Sequence, residues 1–299
     1  MGVATIFLIL CGSFLQDIIQ LAGSDLELTY CFLIVAAFLW FHVWFDNLSQ
    51  LGSLSFLSVV ATLLLVIVVV VDVFRNTPEE RGDHEIIRIQ PAFWSSFVAF
   101  AFSFGAHPVL PSVVRDMKEP HKYPMLSSIT FLVIILSYLP ITIVGYWAFG
   151  DDVQSPILEN VADSPLKTSS IVLMLVNLLI SYAVVLNPSE QALEKQLEKP
   201  LKLEPPSILN KVKKVLLRTV FVGITLGISI AIPDFPLVLD LVASLTNTFT
   251  VFVLPCAFYS KIFFGKVPWP VHVLNAIIML IGFVACGFGT ANAIIALIG

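Results

Sequence analysis

The sequence predicts an all-α polytopic membrane protein with about nine spanning helices, and three observations carry that prediction. Of 299 residues, 58% are hydrophobic and only 12% are charged, about half the charged share of a soluble domain. The apolar runs are long. Phe56 to Val71 holds no charged residue, and a bilayer asks for about 20 apolar residues per helix. Lys, Arg, Asp and Glu gather instead in the stretches between these runs. The net charge of -5 therefore sits in connectors, and nothing in the chain resembles a nucleic-acid-binding surface.

The first span covers 2–22. It has neither a basic n-region nor a small-residue cleavage site, so it is expected to be a span and not a signal peptide. The second, 28–45, has His42 and Asp46 intruding near its end, and the third, 50–74, is apolar nearly throughout. The fourth, 91–115, is interrupted at Phe102 to Pro111 by a glycine, a histidine and two prolines. The fifth, 124–149, closes on Gly145, Tyr146, Phe149 and Gly150. The sixth, 168–188, carries Ser181 and Tyr182 and is expected to end at Asn187-Pro188. The segment from Glu190 to Arg218 mixes Lys and Glu around Pro200, Pro205 and Pro206. It reads as a connector over about 190–214, with a short surface helix from Ser189 to Leu197. Spans seven (215–233) and eight (236–260) flank a tight turn marked by Pro233 and Pro236, and the ninth is 269–298. The whole chain, 1–299, is expected to form one transmembrane domain.

Charge placement predicts direction, because cytoplasmic loops are rich in Lys and Arg. With the first span running outward, Arg115, Lys118, Lys122, the group from Lys195 to Arg218, Lys261 and Lys266 all fall inside. Only Arg75, Arg81, Arg88 and Lys167 fall outside. Asp72 and Asp46 are expected at the interface; Asp17 and Asp240 sit within apolar stretches near span ends, where an interfacial role is favoured over one in proton coupling.

The interruption of the fourth span is the chemically suggestive place. Pro108 and Pro111 bring no N–H, and each disfavours a helical residue before it. Lipid cannot satisfy freed backbone groups, so the break must be buried in protein or line a polar cavity. The upper half presents carbonyls suited to an ammonium group. The lower half presents the amides of Ala106, His107, Val109 and Leu110, suited to a carboxylate. Gly105 removes a side chain where a ligand would approach. Together these groups suit an amino acid, and Ser103, Phe104, Gly105, Ala106 and His107 are the candidate substrate residues. A packed proline kink, with His107 bonded to a neighbouring carbonyl, is the competing reading.

The segments FAFSFGAHPVLPSVVRDMKEP and YLPITIVGYWAFGDD resemble the amino acid/auxin permease family, which includes vesicular inhibitory amino-acid transporters. Val109-Leu110-Pro111, Met117-Lys118 with Pro120, and the Gly145 to Gly150 ending carry the likeness, and later pieces extend it along the chain. The resemblance implies a leucine-transporter-like inverted repeat, here incomplete, because the first span is similar to the family's third helix. It also implies a broken sixth helix that offers carbonyls to the substrate amine. The sixth span resembles the family's eighth helix, which makes Ser181 and Tyr182 candidates for holding a coupling ion.

Thr246, Asn247, Thr248 and Thr250 interrupt the eighth span and are expected to glue helices together. Cys11, Cys31, Cys256 and Cys286 have no metal spacing and read as small buried residues. No catalytic constellation appears, so an enzyme is not expected, nor a cofactor beyond a coupling H+ or Na+. The expected function is secondary active transport of small or neutral amino acids, by symport or antiport, in a plasma or vesicular/endolysosomal membrane. A nontransporting amino-acid sensor, a regulatory membrane partner and an inactive truncated transporter are the alternatives. The expected partners are the amino-acid substrate and the lipid bilayer, and no oligomeric state is assigned.

Overall fold

A computed structural model describes residues 1–41, 52–75, 91–107, 109–161, 163–201 and 208–298. His42, Asp46, Arg81, Arg88, Pro108, Pro205 and Pro206 lie outside the described residues. The described chain is helical and connected by short turns. Seven of its helices are long and apolar enough to cross a membrane. The second and fourth expected spans are the shorter ones. The second is described as a helix over Leu28–Leu39, and the fourth is divided by its break. The protein is an integral, multi-pass membrane protein.

The chain folds as two compact units. One holds Val3–Glu85 and Asp116–Pro233, the other Ile86–Arg115 and Asp234–Gly299.

The first unit contains α1 (Gly2–Leu21), α2 (Leu28–Leu39) and α3 (Gly52–Arg75). It also contains α6 (Tyr123–Phe149), α7 (Pro165–Leu201) and α8 (Ile208–Ala231). Helix α3 lies along α7 and also touches α6, and α2 packs on α8. The core is built from Leu8, Ile9 and Cys11 of α1, Cys31 and Phe32 of α2, and Ile171, Tyr182 and Leu186 of α7. Gly12 lets the Phe32 ring sit directly on the α1 backbone, in the space a Cβ would take. Close backbone approach of this kind is how membrane helices gain contact where burial from water offers no drive.

Helix α7 departs from the sequence reading. It continues as one helix of 37 residues through Pro188 to Leu201, where an end at Asn187-Pro188 and a separate surface helix were expected. The cause is a buried ion cluster. Glu190 and Glu194, one turn apart, face Arg218 of α8, whose Nε lies 3.6 Å from Glu190 and 2.8 Å from Glu194. Lys214 adds a further contact to Glu194 at 3.7 Å. Arg218 is 1% exposed and Glu190 0%. Buried charges must be paired, and pairing both carboxylates with one guanidinium requires helical spacing beyond the proline. Asp72, expected at the interface, is likewise buried and accepts a hydrogen bond from Ser164 at 3.1 Å.

The second unit contains α4 (Pro91–Ser103), α5 (Leu110–Asp116), α9 (Phe235–Val242), α10 (Leu254–Ile262) and α11 (Trp269–Ile298). Asp234 caps α9 by accepting from the Leu237 N–H at 2.9 Å. Between α9 and α10 the chain is π-helical, over Ala243–Asn247 and again over Phe249–Val253. Helix α4 packs on α11 and on the first π-helical stretch. Val98, Ala243 and Ala285 form the centre of this contact, with Trp94, Phe97 and Phe102 against them. Gly289 allows the approach of Ser244, whose Cβ would lie 3.0 Å from an added Cβ. The Thr290 hydroxyl then donates to Ser244 at 3.2 Å. Ser244 and Thr290 thus join helices as small polar residues do inside membranes.

Candidate functional site

Helix α4 ends at Ser103 and α5 begins at Leu110, so the break spans about two turns' worth of chain. Tight turn bonds hold it. Phe104 N–H donates to Ala101 O at 3.3 Å, Gly105 N–H to Phe102 O at 2.8 Å, and Ala106 N–H to Phe104 O at 2.9 Å. On the far side, Val109 and Leu110 N–H both donate to Ala106 O, at 3.0 and 3.2 Å.

These bonds reassign the donors expected at the break. The amides of Ala106, Val109 and Leu110 are consumed inside the turn. Among the described residues, His107 N–H alone of the four finds no backbone acceptor, and the carbonyls of Gly105 and His107 accept no backbone hydrogen bond. The reason is local: residue 111, which would serve the His107 carbonyl in a helix, is a proline without an N–H, and Val109, which would serve Gly105, donates to Ala106 O instead. Helix α5 is only seven residues long. The break therefore offers backbone acceptors more than a helix-end anion site.

The candidate substrate residues, Ser103 to His107, differ in what they have left to offer. The Ser103 side chain is exposed and its hydroxyl donates back to Ala99 O at 3.2 Å. Phe104 packs its ring on Phe100, with centroids 5.3 Å apart. Phe102, at the start of the interruption, packs against the centre of the unit. Ala106 is exposed. The His107 side chain is half-buried, and its Nδ1 is buried without a hydrogen-bond partner.

Gly105 is the position at which the structure is most specific. The space a Cβ would occupy there is filled by the carboxamide of Asn247, and the Phe102 carbonyl would lie 2.9 Å away. Glycine is thus required by a side chain of the π-helical stretch, where the sequence suggested room for a ligand. Asn247 itself is 6% exposed, and its Nδ2 is buried without a hydrogen-bond partner. A buried donor left unpaired costs about 1–3 kcal/mol. Sequence reasoning placed Asn247 among the helix-gluing residues. The signal available to it was weak: asparagine is the one carboxamide in a run of hydroxyls. The hydroxyls of Ser244, Thr248 and Thr250 do bond within their own helix, to Asp240 O, Ala243 O and Thr246 O.

Ser181 and Tyr182, the candidate ion-coupling residues, lie in the other unit and are not brought together. Ser181 donates to the Asn177 carboxamide oxygen at 3.2 Å. Asn177 is joined in turn to Ser58 and Thr62 of α3. Tyr182 is fully buried, and its hydroxyl shares a hydrogen bond with Thr225 of α8 at 2.9 Å. Its neighbourhood is a helix contact. Asp17 is half-buried beside a cavity of about 380 Å³ that Glu159, Asp163 and Lys167 also line. Lys167 Nζ lies 3.0 Å from Asp163. Partial burial, and next the Asp17 charge, push the Glu159 carboxyl above its ordinary range, and Lys167 opposes them. Among the described residues no group of three His, Cys, Asp or Glu side chains is placed to hold a metal ion.

Comparison with known proteins agrees with this picture of an apolar helical bundle. The family model described as "Transmembrane amino acid transporter protein" matches residues 1–295. The Arabidopsis thaliana amino acid transporter AVT1E is 28% identical over 93% of this chain and 52% of its own length. AVT1I from the same plant is 29% identical over 99% of this chain and 74% of its own. A protein named lysine histidine transporter-like 3, also from Arabidopsis thaliana, is 22% identical over 92% of this chain and 66% of its own. The chain spans about half the length of AVT1E, the most partial of these three matches.

Proposed function

The chain belongs to the transmembrane amino acid transporter family, and from that premise we propose that it carries small or neutral amino acids across a membrane by alternating access. Transport is driven by a proton or sodium gradient. The substrate sits at the break between α4 and α5, lined by Ser103 to His107. The observation that carries this reading is the pair of carbonyls at the break, Gly105 and His107, which accept no backbone hydrogen bond among the described residues. Carbonyl oxygens with no backbone donor are favourable partners for an ammonium group. Broken helices that coordinate substrate and ion are the general device of such transporters. The substrate amine is bound by those carbonyls, and the half-buried His107 imidazole borders it. The relatives cited above, all named as transporters, lend no support to a sensor or an inactive transporter.

The test is uptake of labelled neutral amino acids by the full gene product in proteoliposomes, with and without an imposed pH or sodium gradient. Accumulation that depends on one gradient and falls at least about tenfold in Gly105→Leu is the expected result. A full-length protein that accumulates no amino acid under either gradient overturns the reading. Transport surviving both Gly105→Leu and His107→Ala moves the site elsewhere.

A further inference from the structure

We propose that Asn247 is a substrate ligand, its carboxamide N–H donating to the carboxylate of the amino acid whose ammonium group rests on the Gly105 and His107 carbonyls. The inference rests on the substrate site proposed above and adds a residue and a binding polarity to it. Three observations lead there. The side chain is nine-tenths buried, and its Oδ1 fills the space a Cβ would take at Gly105, which brings the carboxamide to the break. Its Nδ2 has no hydrogen-bond partner, although the hydroxyls of Ser244, Thr248 and Thr250 on the same stretch all have one. Finally, the break beside it supplies acceptors in surplus, because its other amides are spent within the turn.

A buried amide donor without a partner, on a side chain that reaches the break, is an odd arrangement for packing alone. Buried polar groups are paired in the great majority of cases, and the exceptions call for an explanation. The Asn247 donor, the His107 N–H and the two carbonyls form a set of both polarities that a zwitterion satisfies at once. A carboxylate accepts from the amides, and an ammonium donates to the carbonyls. The π-helical register is consistent with this use, because such bulges re-aim one side chain and recur at functional sites.

The experiment compares Asn247→Asp, Asn247→Ala and Asn247→Gln with wild type in the reconstituted full gene product. The probe is a mixture of labelled neutral L-amino acids, competed by the corresponding L-amino acid amides. If Asn247 grips the carboxylate, Asn247→Asp raises KM by about tenfold or more and leaves the maximal rate within about threefold. Preference for the free carboxylate over the amide then collapses, because the aspartate repels the first and not the second. Asn247→Ala shifts KM the same way by less. Unchanged KM and unchanged preference in all three variants overturn the proposal, as does a loss of rate with both preserved. Failure of all three to fold assigns Asn247 to packing and also overturns it. Wild-type protein that neither binds nor transports the mixture overturns the substrate site itself, whereas active wild type with indifferent variants overturns only the ligand.

Discussion

Gly105 and Asn247 constrain one another at the level of single atoms. A methyl group at residue 105 must displace the Asn247 carboxamide and crowd the Phe102 carbonyl, and overpacking of this sort costs about 1–3 kcal/mol. Gly105→Ala is therefore expected to lower the melting temperature of the purified protein, and Gly105→Ala with Asn247→Ala to recover most of the loss. An uptake assay on the same pair is expected to show no recovery, because the ligand group is gone. A double variant that restores transport as well as stability contradicts the ligand role. The break itself was legible in the sequence, because glycine and proline act on their own backbone. What fills the space at Gly105 was not, since Asn247 meets it only through the packing of α4 on the π-helical stretch.

Helix α7 shows the same limit on a larger piece of chain. Pro188 and the charges after it read locally as an end, and the paired burial of Glu190 and Glu194 on Arg218 overrides that reading. Removing one partner of a buried ion cluster costs about 3–5 kcal/mol, whereas an apolar replacement of all partners is often neutral. Arg218→Leu is expected to destabilise by that amount and to raise amide exchange over 189–201. Arg218→Met with Glu190→Leu and Glu194→Leu is expected to restore protection. Exchange in Arg218→Leu equal to wild type would mean that the cluster does not hold the extension. By contrast, the turn before α9 was readable from Pro233 and Pro236, whereas the cap that Asp234 supplies came only with the structure.

Across the whole molecule, composition and apolar run length settled the helical membrane class, since those properties need no knowledge of partners. Charge clusters outside the spans were less legible, because their effect depends on which loops meet. Glu159 is such a case. Its carboxyl is raised above the ordinary glutamate range by partial burial and by Asp17, so the folded protein holds this proton to higher pH than the unfolded chain does. The stability it contributes is full below that range and is lost as pH rises through it. Glu159→Gln is accordingly expected to flatten the fall in melting temperature as pH rises through and above the ordinary glutamate range. An identical pH profile for the variant and wild type contradicts this assignment.

The uninterrupted run of α7 has one more implication. At about 1.5 Å per residue, its 37 residues extend about 55 Å, against about 30 Å for a bilayer's hydrocarbon core. Roughly 25 Å of rigid rod must then stand clear of that core, even at an ordinary membrane tilt. The rod is pinned along α3 and clamped at Glu194 by Arg218; about 10 Å of it lies beyond the clamp, so about 10° of rocking there moves its tip by about 2 Å. Any such movement would be largest for a label near residue 201, at the end of the helix.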